Sequence, residues 1–254
     1  MDPTLAWLPD GSPYSPRYGD VYRSHGGALA QARTVFLGGC GLPMGWEDRA
    51  SCRILETGFG LGLNFLASWA AWQADERRSS QLHFVSLEAH PVSATDLLQG
   101  VQTLQARDAQ ELALLSRIQM LADDLARAWA GLRPGLQHWD FDDGRVRLSL
   151  GIGDVLAQLP GLPGPVDAVY LDGFSPARNP AMWTAEVIQG VARLCHPGTR
   201  LASWCVAGAV RQRLQQAGFE WRKQAGLAPK WQRLEARYLG PADTAGLRPG
   251  SAGA

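Results

Sequence analysis

Hydrophobic and polar positions change their period several times along the chain, and from residue 53 onward the pattern predicts alternating strands and helices. Short, mostly apolar runs predict strands at Arg53–Glu56, Leu82–Glu88, Asp167–Asp172 and Leu201–Cys205. Longer stretches have helical spacing, at Leu63–Gln73, twice within residues 91–130, and at Val206–Ala217. Strands that alternate with helices predict an open, mainly parallel α/β sheet.

The remaining segments complete this outline. Trp139–Leu150 alternates around Asp143-Gly144, which predicts a hairpin, and two late strands are predicted near Phe219–Lys223 and Arg233–Tyr238. Residues 1–45 are rich in Gly, Pro and Tyr, so we expect an irregular N-terminal extension packed on a catalytic domain of residues 46–239. Residues 240–254 are predicted to form a flexible tail or linker.

Composition excludes several classes of protein. Hydrophobic residues make up 46% of the 254 residues and charged residues 19%, which is ordinary for a globular protein and argues against disorder. The most apolar stretch, Leu61–Trp72, is too short to cross a bilayer, and the N-terminus lacks the pattern of a secretory signal. We therefore expect a cytoplasmic protein with no membrane contact. Four cysteines without a CxxC spacing predict reduced thiols and no metal site.

The formal net charge of zero hides an asymmetry. Residues 173–238 carry a charge of +7, and the rest of the chain carries −7. Nearly all of the basic residues are arginine, whose planar fork suits phosphate. A basic face indicates contact with a polyanion such as nucleic acid, although arginines scattered over a solvated surface would give the same composition.

A glycine-rich loop follows the first predicted strand of the α/β body. The segment Glu56–Asn64 contains glycines at 58, 60 and 62, which permit a tight turn and close approach of the backbone to a ligand. The dinucleotide fingerprint requires its third glycine at position 63, where this chain has leucine. The loop therefore predicts a ligand other than a pyrophosphate.

Acidic residues near this loop indicate what the ligand is. Glu56 is expected to face an α-ammonium group, and Glu88, at the end of the next strand, to accept hydrogen bonds from two ribose hydroxyls. Gly153 and Asp154 are expected to bracket an adenine amine. A cation with a ribose and an adenine but no phosphate is S-adenosyl-L-methionine (SAM). The pattern predicts a class I SAM-dependent methyltransferase fold, Rossmann-like, with a mainly parallel seven-stranded sheet.

The strand that ends at Asp172 supplies the candidate catalytic residue. Its carboxyl end leads to the same edge of the sheet as the glycine loop, beside the expected position of the transferable methyl group. A carboxylate suits an amine nucleophile, because it can orient the amine or take its proton. Phe174 could stack on a base or hold the amine. The alternative for Asp172 is a structural turn acid, since Asp-Gly is common in turns.

Four strings resemble the methyltransferase domain of the bifunctional tRNA 5-methylaminomethyl-2-thiouridine biosynthesis proteins and their free-standing relatives. They are Gly19–Ser24, Val35–Gly39, Glu56–Phe65 and, most specifically, Leu171–Thr184. The resemblance runs from about residue 10 to residue 238. It implies a class I fold that uses SAM to methylate the 5-aminomethyl group of a wobble (2-thio)uridine in tRNA, giving the 5-methylaminomethyl product.

The resemblance also implies roles for individual residues. Asp172 matches the catalytic aspartate, and Phe174, Arg178 and Lys230 are assigned to the substrate. The residues assigned to the cofactor are Glu56, Gly58, Gly60, Gly62, Asn64, Glu88, Asp154, Asp20 and Tyr22. The bifunctional relatives carry an FAD-dependent oxidoreductase domain that no segment after residue 239 matches. We expect such an activity, fused or separate, to supply the aminomethyl substrate.

Three other functions remain open at this stage. One is a SAM-dependent enzyme for another amine, including aminopropyl transfer, although the +7 region opposes a polyamine site. A nicotinamide-dependent oxidoreductase is disfavoured by Leu63. A tRNA-binding relative without activity would bind SAM and leave it unchanged. The presence of both Glu56 and Asp172 argues against that third reading.

Overall fold

A computed structural model describes residues 5–23, 27–228 and 230–241 of the chain. The strands in these residues are β1 (Ala6–Trp7), β2 (Pro13–Ser15), β3 (Asp20–Val21), β4 (Ser51–Glu56), β5 (Gln81–Glu88), β6 (Gly135–Phe141), β7 (Val146–Ile152), β8 (Val166–Tyr170), β9 (Cys195–Ser203), β10 (Phe219–Leu227) and β11 (Lys230–Tyr238). The α-helices are α1 (Ala28–Ala30), α2 (Leu63–Ala74), α3 (Ala94–Gln102), α4 (Ala109–Ala128), α5 (Val155–Gln158), α6 (Ala185–Arg193) and α7 (Gly208–Gln216).

The main sheet has the order β10-β11-β9-β8-β4-β5-β7-β6. Its five central strands, β9, β8, β4, β5 and β7, are parallel, and the strands beyond them at both ends are antiparallel. Chain order runs one way from β4 through β5 and the other way from β8 through β9. The strand order therefore reverses between β4 and β8, and a ligand crevice is expected at the carboxyl ends of these two strands.

The sheet differs in one respect from the predicted one. It has eight strands among the described residues, not seven, because the hairpin around Asp143-Gly144 adds β6 at the edge beside β7. The predicted strands and helices of the α/β body are otherwise present, with ends displaced by a few residues. The largest displacement is at β9, which begins at Cys195 and not at Leu201.

The N-terminal extension is more regular than the sequence predicted. Strands β1–β3 form a small antiparallel sheet, and α1 continues into a π-helical segment, Gln31–Leu37. Leu29, Val35 and Phe36 from this helical stretch are buried in the core of the α/β body. Because these residues pack in the same core as the sheet, the extension is part of the folded unit. The predicted tail at residues 242–254 lies outside the described residues.

Two hydrophobic layers cover the two faces of the sheet. Alternating residues on one strand serve different layers, so that Ile54 faces the first layer and Leu55 the second. Trp69 and Trp72 on α2 are buried in the first layer. Trp183 is buried in the second layer. These layers hold the strand ends of β4, β5 and β8 in fixed positions.

A chain of hydrogen bonds crosses the sheet from β4 to β6 and includes His83 on β5. Nε of Arg53 donates to Nδ1 of His83 at 3.1 Å, and Nε2 of His83 lies 2.7 Å from Oγ of Ser149. Ser149 Oγ also lies 2.8 Å from Nδ1 of His138. Burial, and then the positive charges of Arg53 and Arg147, lower the pKa of His83 to about 4. His83 is therefore a neutral, satisfied histidine at physiological pH.

This pKa predicts an acid dependence of stability. The unfolded chain binds a proton at His83 below about pH 6.5, whereas the folded chain resists protonation until about pH 4. The stability contributed by His83 is therefore complete above pH 6.5 and is lost as the pH falls towards 4. Thermal unfolding followed by circular dichroism should show a steeper fall in Tm between pH 6.5 and 4 for the wild type than for His83→Gln. Parallel curves would contradict this assignment.

Candidate active site at the strand-order reversal

A cavity opens at the carboxyl ends of β4, β5 and β8, where the strand order reverses. Its lining includes the glycine loop after β4, the end of β5, the turns after β7 and β8, Trp204 after β9, and the N-terminal extension, which covers it. The acids that line the cavity are Asp20, Glu88 and Asp172, whereas Arg23 is its only basic lining residue among the described residues. Its polar surface therefore favours a cationic ligand.

The glycine loop has the backbone conformation that its sequence predicts. Gly58, Gly60 and Gly62 have φ angles of +142°, +54° and +72°, which side chains other than glycine rarely adopt. A Cβ on Gly58 would lie 3.4 Å from the carbonyl oxygen of Asp172, at an ordinary contact distance, so the two loops lie side by side and the φ angle is what requires glycine. Gly62 is the N-cap of α2. The loop places backbone at the cavity wall with no side chains in the way.

Glu88 ends β5 and lies at the cavity wall, as predicted. Its Oε2 accepts a hydrogen bond from the backbone N–H of Gly60 at 2.8 Å, and its Oε1 accepts one from the N–H of His90 at 2.8 Å. These bonds orient the carboxylate from both sides. A carboxylate oxygen can accept more than one hydrogen bond, so both oxygens remain able to accept from ribose hydroxyls.

Glu56 lies behind the cavity wall, and this differs from the prediction that it faces a ligand ammonium group. The side chain is buried, Oε1 accepts from Nδ2 of Asn64 at 2.9 Å, and Oε2 accepts from Oγ of Ser86 at 2.7 Å. Burial, and then repulsion from Asp172 and Glu88, raise the pKa of Glu56 well above its usual value. A cation bound in the cavity would favour the ionised form, although Glu56 is not among the residues that line it.

Asp172 lines the cavity beside the glycine loop. Its Oδ1 accepts hydrogen bonds from Nε1 of Trp204 and from the backbone N–H of Gly173, each at 2.8 Å. Its Oδ2 accepts from Nδ2 of Asn64 at 3.0 Å. The same amide nitrogen also donates to Glu56, so Asn64 bridges two acids from β4 and β8. The Asp172 carboxylate is held in one orientation and faces a cavity.

Thr57 joins the same two loops through the backbone. Its hydroxyl donates to the carbonyl oxygen of Asp172 at 2.8 Å and accepts from the N–H of Asp172 at 3.1 Å. Together with Gly58, this fixes the turn after β8 against the glycine loop. The spacing between the two loops is therefore set by a side chain and a close backbone contact.

Aromatic residues from the N-terminal extension cover the turn that contains Phe174. The ring of Tyr18 stacks on Phe174 at 4.6 Å, and the ring of Tyr22 meets it edge-on at 5.0 Å. Burial and the nearby carboxylate of Glu88 raise the pKa of both tyrosines, so both phenols stay protonated. Asp20 and Tyr22, which the resemblance assigns to the cofactor, line the cavity, and Oδ2 of Asp20 accepts a hydrogen bond from Oγ of Ser175 at 3.4 Å.

Three predicted site residues are placed elsewhere or are not described. Oδ1 of Asp154 accepts from the backbone N–H groups of Leu156 and Ala157, so Asp154 caps α5 and its side chain is exposed outside the cavity lining. Arg178 is also outside the lining, and its exposed side chain places the guanidinium beside Gly19, which lies between the lining residues Tyr18 and Asp20. The side chain of Lys230 lies outside the described residues.

Several lining residues were not assigned from the sequence. Tyr18 lies in a segment without periodicity, and Trp204 lies within the apolar run that predicts a strand at Leu201–Cys205. Arg23 donates to the carbonyl oxygen of Gly100 at 2.7 Å and to Thr103 at 2.6 Å, which ties the extension to the end of α3. Burial lowers the pKa of Arg23 to about 10. The one sequence signal for Tyr18 as a lining residue is its spacing of four residues from Tyr22, which was assigned to the cofactor.

The residues fit SAM when they are considered together. Glu88 would hold the ribose, Gly58 and Gly60 would allow the backbone to approach the ligand, and Leu87 and Val155 offer apolar contacts to an adenine. The acidic lining matches a sulfonium cation. No group of three or more His, Cys, Asp or Glu in residues 5–23, 27–228 and 230–241 is arranged to hold a metal ion. No helix of that part of the chain is long and apolar enough to cross a membrane.

Comparisons with known proteins agree with this geometry. A family model described as S-adenosyl-L-methionine-dependent methyltransferase matches residues 116–238. The tRNA 5-methylaminomethyl-2-thiouridine biosynthesis bifunctional protein MnmC of Acidovorax sp. is 50% identical over 94% of this chain, and the protein of that name from Cupriavidus necator is 50% identical over 90%. The chain spans about a third of the length of these relatives, 36% and 33% respectively.

A solved structure shares the fold. The crystal structure of MNMC2 from Aquifex aeolicus superposes with a TM-score of 0.70, covering 94% of this chain and 72% of that one. Its sequence identity is 20%, so the likeness concerns the fold. The class I methyltransferase fold predicted from the sequence is confirmed.

The position of Glu88 predicts how affinity for SAM depends on its charge. Glu88→Gln keeps the length and one acceptor oxygen but replaces charge-assisted hydrogen bonds with neutral ones. The expected loss is about tenfold in SAM affinity, or ~1.4 kcal/mol. Isothermal titration calorimetry of the two proteins with SAM measures the difference.

Asp154→Asn is the matched control. Asn caps helices as well as Asp does, so the cap on α5 is preserved, and we expect SAM affinity to change by less than about twofold. If Asp154→Asn weakened binding and Glu88→Gln did not, Asp154 would be the ligand contact that the sequence predicted, and the placement of the ribose on Glu88 would be wrong.

Proposed function

We propose that the chain is an S-adenosyl-L-methionine-dependent methyltransferase that methylates 5-aminomethyl-(2-thio)uridine at the tRNA wobble position, giving 5-methylaminomethyl-(2-thio)uridine. The observation that carries the proposal is a single oriented acid. Asp172 faces the cavity between the glycine loop and Phe174, held by Trp204, Gly173 and Asn64. Such an acid suits a nucleophile that bears protons, as an amine does.

The main chemical obstacle is the protonation of the amine. When bound, SAM supplies an electrophilic methyl group on a sulfonium that leaves as a thioether. An alkylamine with a lysine-like pKa is almost entirely protonated at pH 7, and freeing its lone pair costs about 4–5 kcal/mol. Asp172 can accept a hydrogen bond from the ammonium and then its proton, so that the amine lone pair can attack.

The walls of the cavity account for the nucleoside part of the substrate. Phe174 offers an aromatic surface for a base, and Tyr18 already stacks on it at 4.6 Å. We place a flipped uridine on Phe174 with its C5 substituent towards Asp172, since both residues line the same cavity. Methyl transfer in this arrangement depends mostly on alignment.

Exposed basic side chains support a nucleic-acid substrate. Arg178 is exposed beside Gly19 in the segment that covers the cavity, and Arg200, Lys223 and Arg237 are exposed on β9, β10 and β11. Other arginines of the +7 region are used internally, because Arg222 and Arg233 both pair with Glu235. We assign the first group, with Lys230 beyond the described side chains, to contacts with tRNA phosphates.

The proposed substrate implies a preceding activity and a location. The aminomethyl group must be generated on the uridine before methylation, and the FAD-dependent oxidoreductase expected from the sequence would remove a larger substituent to leave it. That activity acts as a fused domain or as a separate partner. A tRNA substrate places the reaction in the cytoplasm.

The decisive experiment is nucleoside mass analysis of tRNA bearing 5-aminomethyluridine after incubation with the protein and SAM. We expect a gain of about 14 Da on that nucleoside alone. Asp172→Asn should lower the rate by roughly 100-fold or more, because it removes the proton acceptor.

Asp123→Asn, an exposed aspartate on α4, is the matched control and should leave the rate unchanged. If the wild type binds SAM but adds no methyl group to this nucleoside, the substrate assignment is wrong. Full activity in Asp172→Asn would remove Asp172 from the mechanism while leaving the substrate in place.

A further inference from the structure

Trp204 follows β9 and makes a contact that packing alone does not require. Its ring meets the buried Trp183 edge-on at 6.2 Å, yet its other edge lines the cavity. Nε1 donates a hydrogen bond to Oδ1 of Asp172 at 2.8 Å. An indole N–H is a donor that cannot accept, so this contact favours the carboxylate form of Asp172 over the protonated form.

The surroundings of Asp172 explain why such a donor matters. Glu56 at the end of β4 is repelled by Asp172 and by Glu88, so the three acids form one group of like charges around Glu56. Without hydrogen-bond donors, a half-buried carboxylate in this group would be driven towards its neutral form. Asn64 divides its amide between Asp172 and Glu56. The indole N–H, which is the only hydrogen-bond donor of the Trp204 side chain, donates to Asp172.

We propose that Trp204 is a positioning residue for methyl transfer, whose indole N–H holds the Asp172 carboxylate ionised and aimed at the amine. This role rests on the proposed function, because it deepens the part that Asp172 plays there. The ring of Trp204 packs against the ring of Trp183. Nε1 of Trp183 in turn donates a hydrogen bond to the carbonyl oxygen of Phe174 at 2.8 Å. The two tryptophans therefore fix the acid and the aromatic platform in one rigid unit.

Trp204→Phe tests this role, because it keeps most of the ring and removes the donor. We expect kcat to fall roughly 10–100-fold while SAM affinity stays within about twofold. The acidic limb of the pH–rate profile should move to higher pH. A residue with a purely structural role would change the melting temperature and leave the pH profile where it was. Trp221→Phe, a half-buried tryptophan on β10, is the matched control.

A second measurement uses the protein without cofactor or substrate. The chain has ten tryptophans, and the indole resonance missing from the Trp204→Phe spectrum identifies Trp204 in a ¹H–¹⁵N correlation experiment. We expect this resonance to shift as the pH is lowered and to lose that response in Asp172→Asn. The Asp172→Asn spectrum also separates any response to the titration of Glu56 and Glu88.

The two readouts have distinct failures. If the chemical shift of the Trp204 indole resonance changes neither with pH nor in Asp172→Asn, the positioning role is overturned even if the methyl transfer is established. If Trp204→Phe keeps the wild-type kcat and pH profile, the role is also overturned. An inactive wild type whose indole resonance follows Asp172 would contradict the proposed substrate and leave the positioning contact intact.

Discussion

The amide nitrogen of Asn64 is the contact on which the arrangement of the site depends. It donates to Glu56 behind the cavity wall and to Asp172 in the wall, and so connects the strand ends on either side of the strand-order reversal. Glu56 is otherwise repelled by the acids of the neighbouring strand ends, Asp172 after β8 and Glu88 on β5. Bridging Glu56 and Asp172 with one neutral donor keeps the acidic side chains together and leaves the net negative charge available to a cationic cofactor.

The rest of the site follows from the need to hold these acids in place. Backbone N–H groups orient Glu88, Thr57 joins the β4 and β8 loops, and Trp204 approaches Asp172 from β9. The N-terminal extension then closes the cavity with Tyr18 and Tyr22. Its helical part is buried in the same core as the sheet, and Arg23 ties it to α3. The strand ends that carry the acids and the N-terminal extension that covers the cavity therefore rest on the same hydrophobic core.

The parts of this site that depend on local pattern could be predicted from the sequence. A strand followed by three glycines specifies a turn whose φ angles only glycine adopts readily, and acids at the ends of parallel strands must meet at one edge. Asp154 shows the limit, because an aspartate before a helix has the same local sequence whether it caps the helix or binds a ligand.

Contacts between distant segments were beyond sequence reasoning. Trp204 and Asp172 are 32 residues apart, and nothing in either segment indicates that one donates to the other. The helix in the extension was missed because glycines flank it, although Leu29, Ala32, Val35 and Phe36 do have helical spacing. The strand count was one too low because a hairpin signal predicts a turn and does not say which strands join the sheet.

The most direct test of this account is a crystal structure of the protein with a SAM analogue in which C–NH₃⁺ replaces S–CH₃⁺. The account predicts that the ribose hydroxyls contact Glu88 and that the ammonium group of the analogue points towards the carboxylate of Asp172. A ribose bound away from Glu88 would contradict the claim that Glu88 binds the cofactor. An ammonium group directed away from Asp172 would contradict the claim that the methyl group of SAM faces the amine held by Asp172.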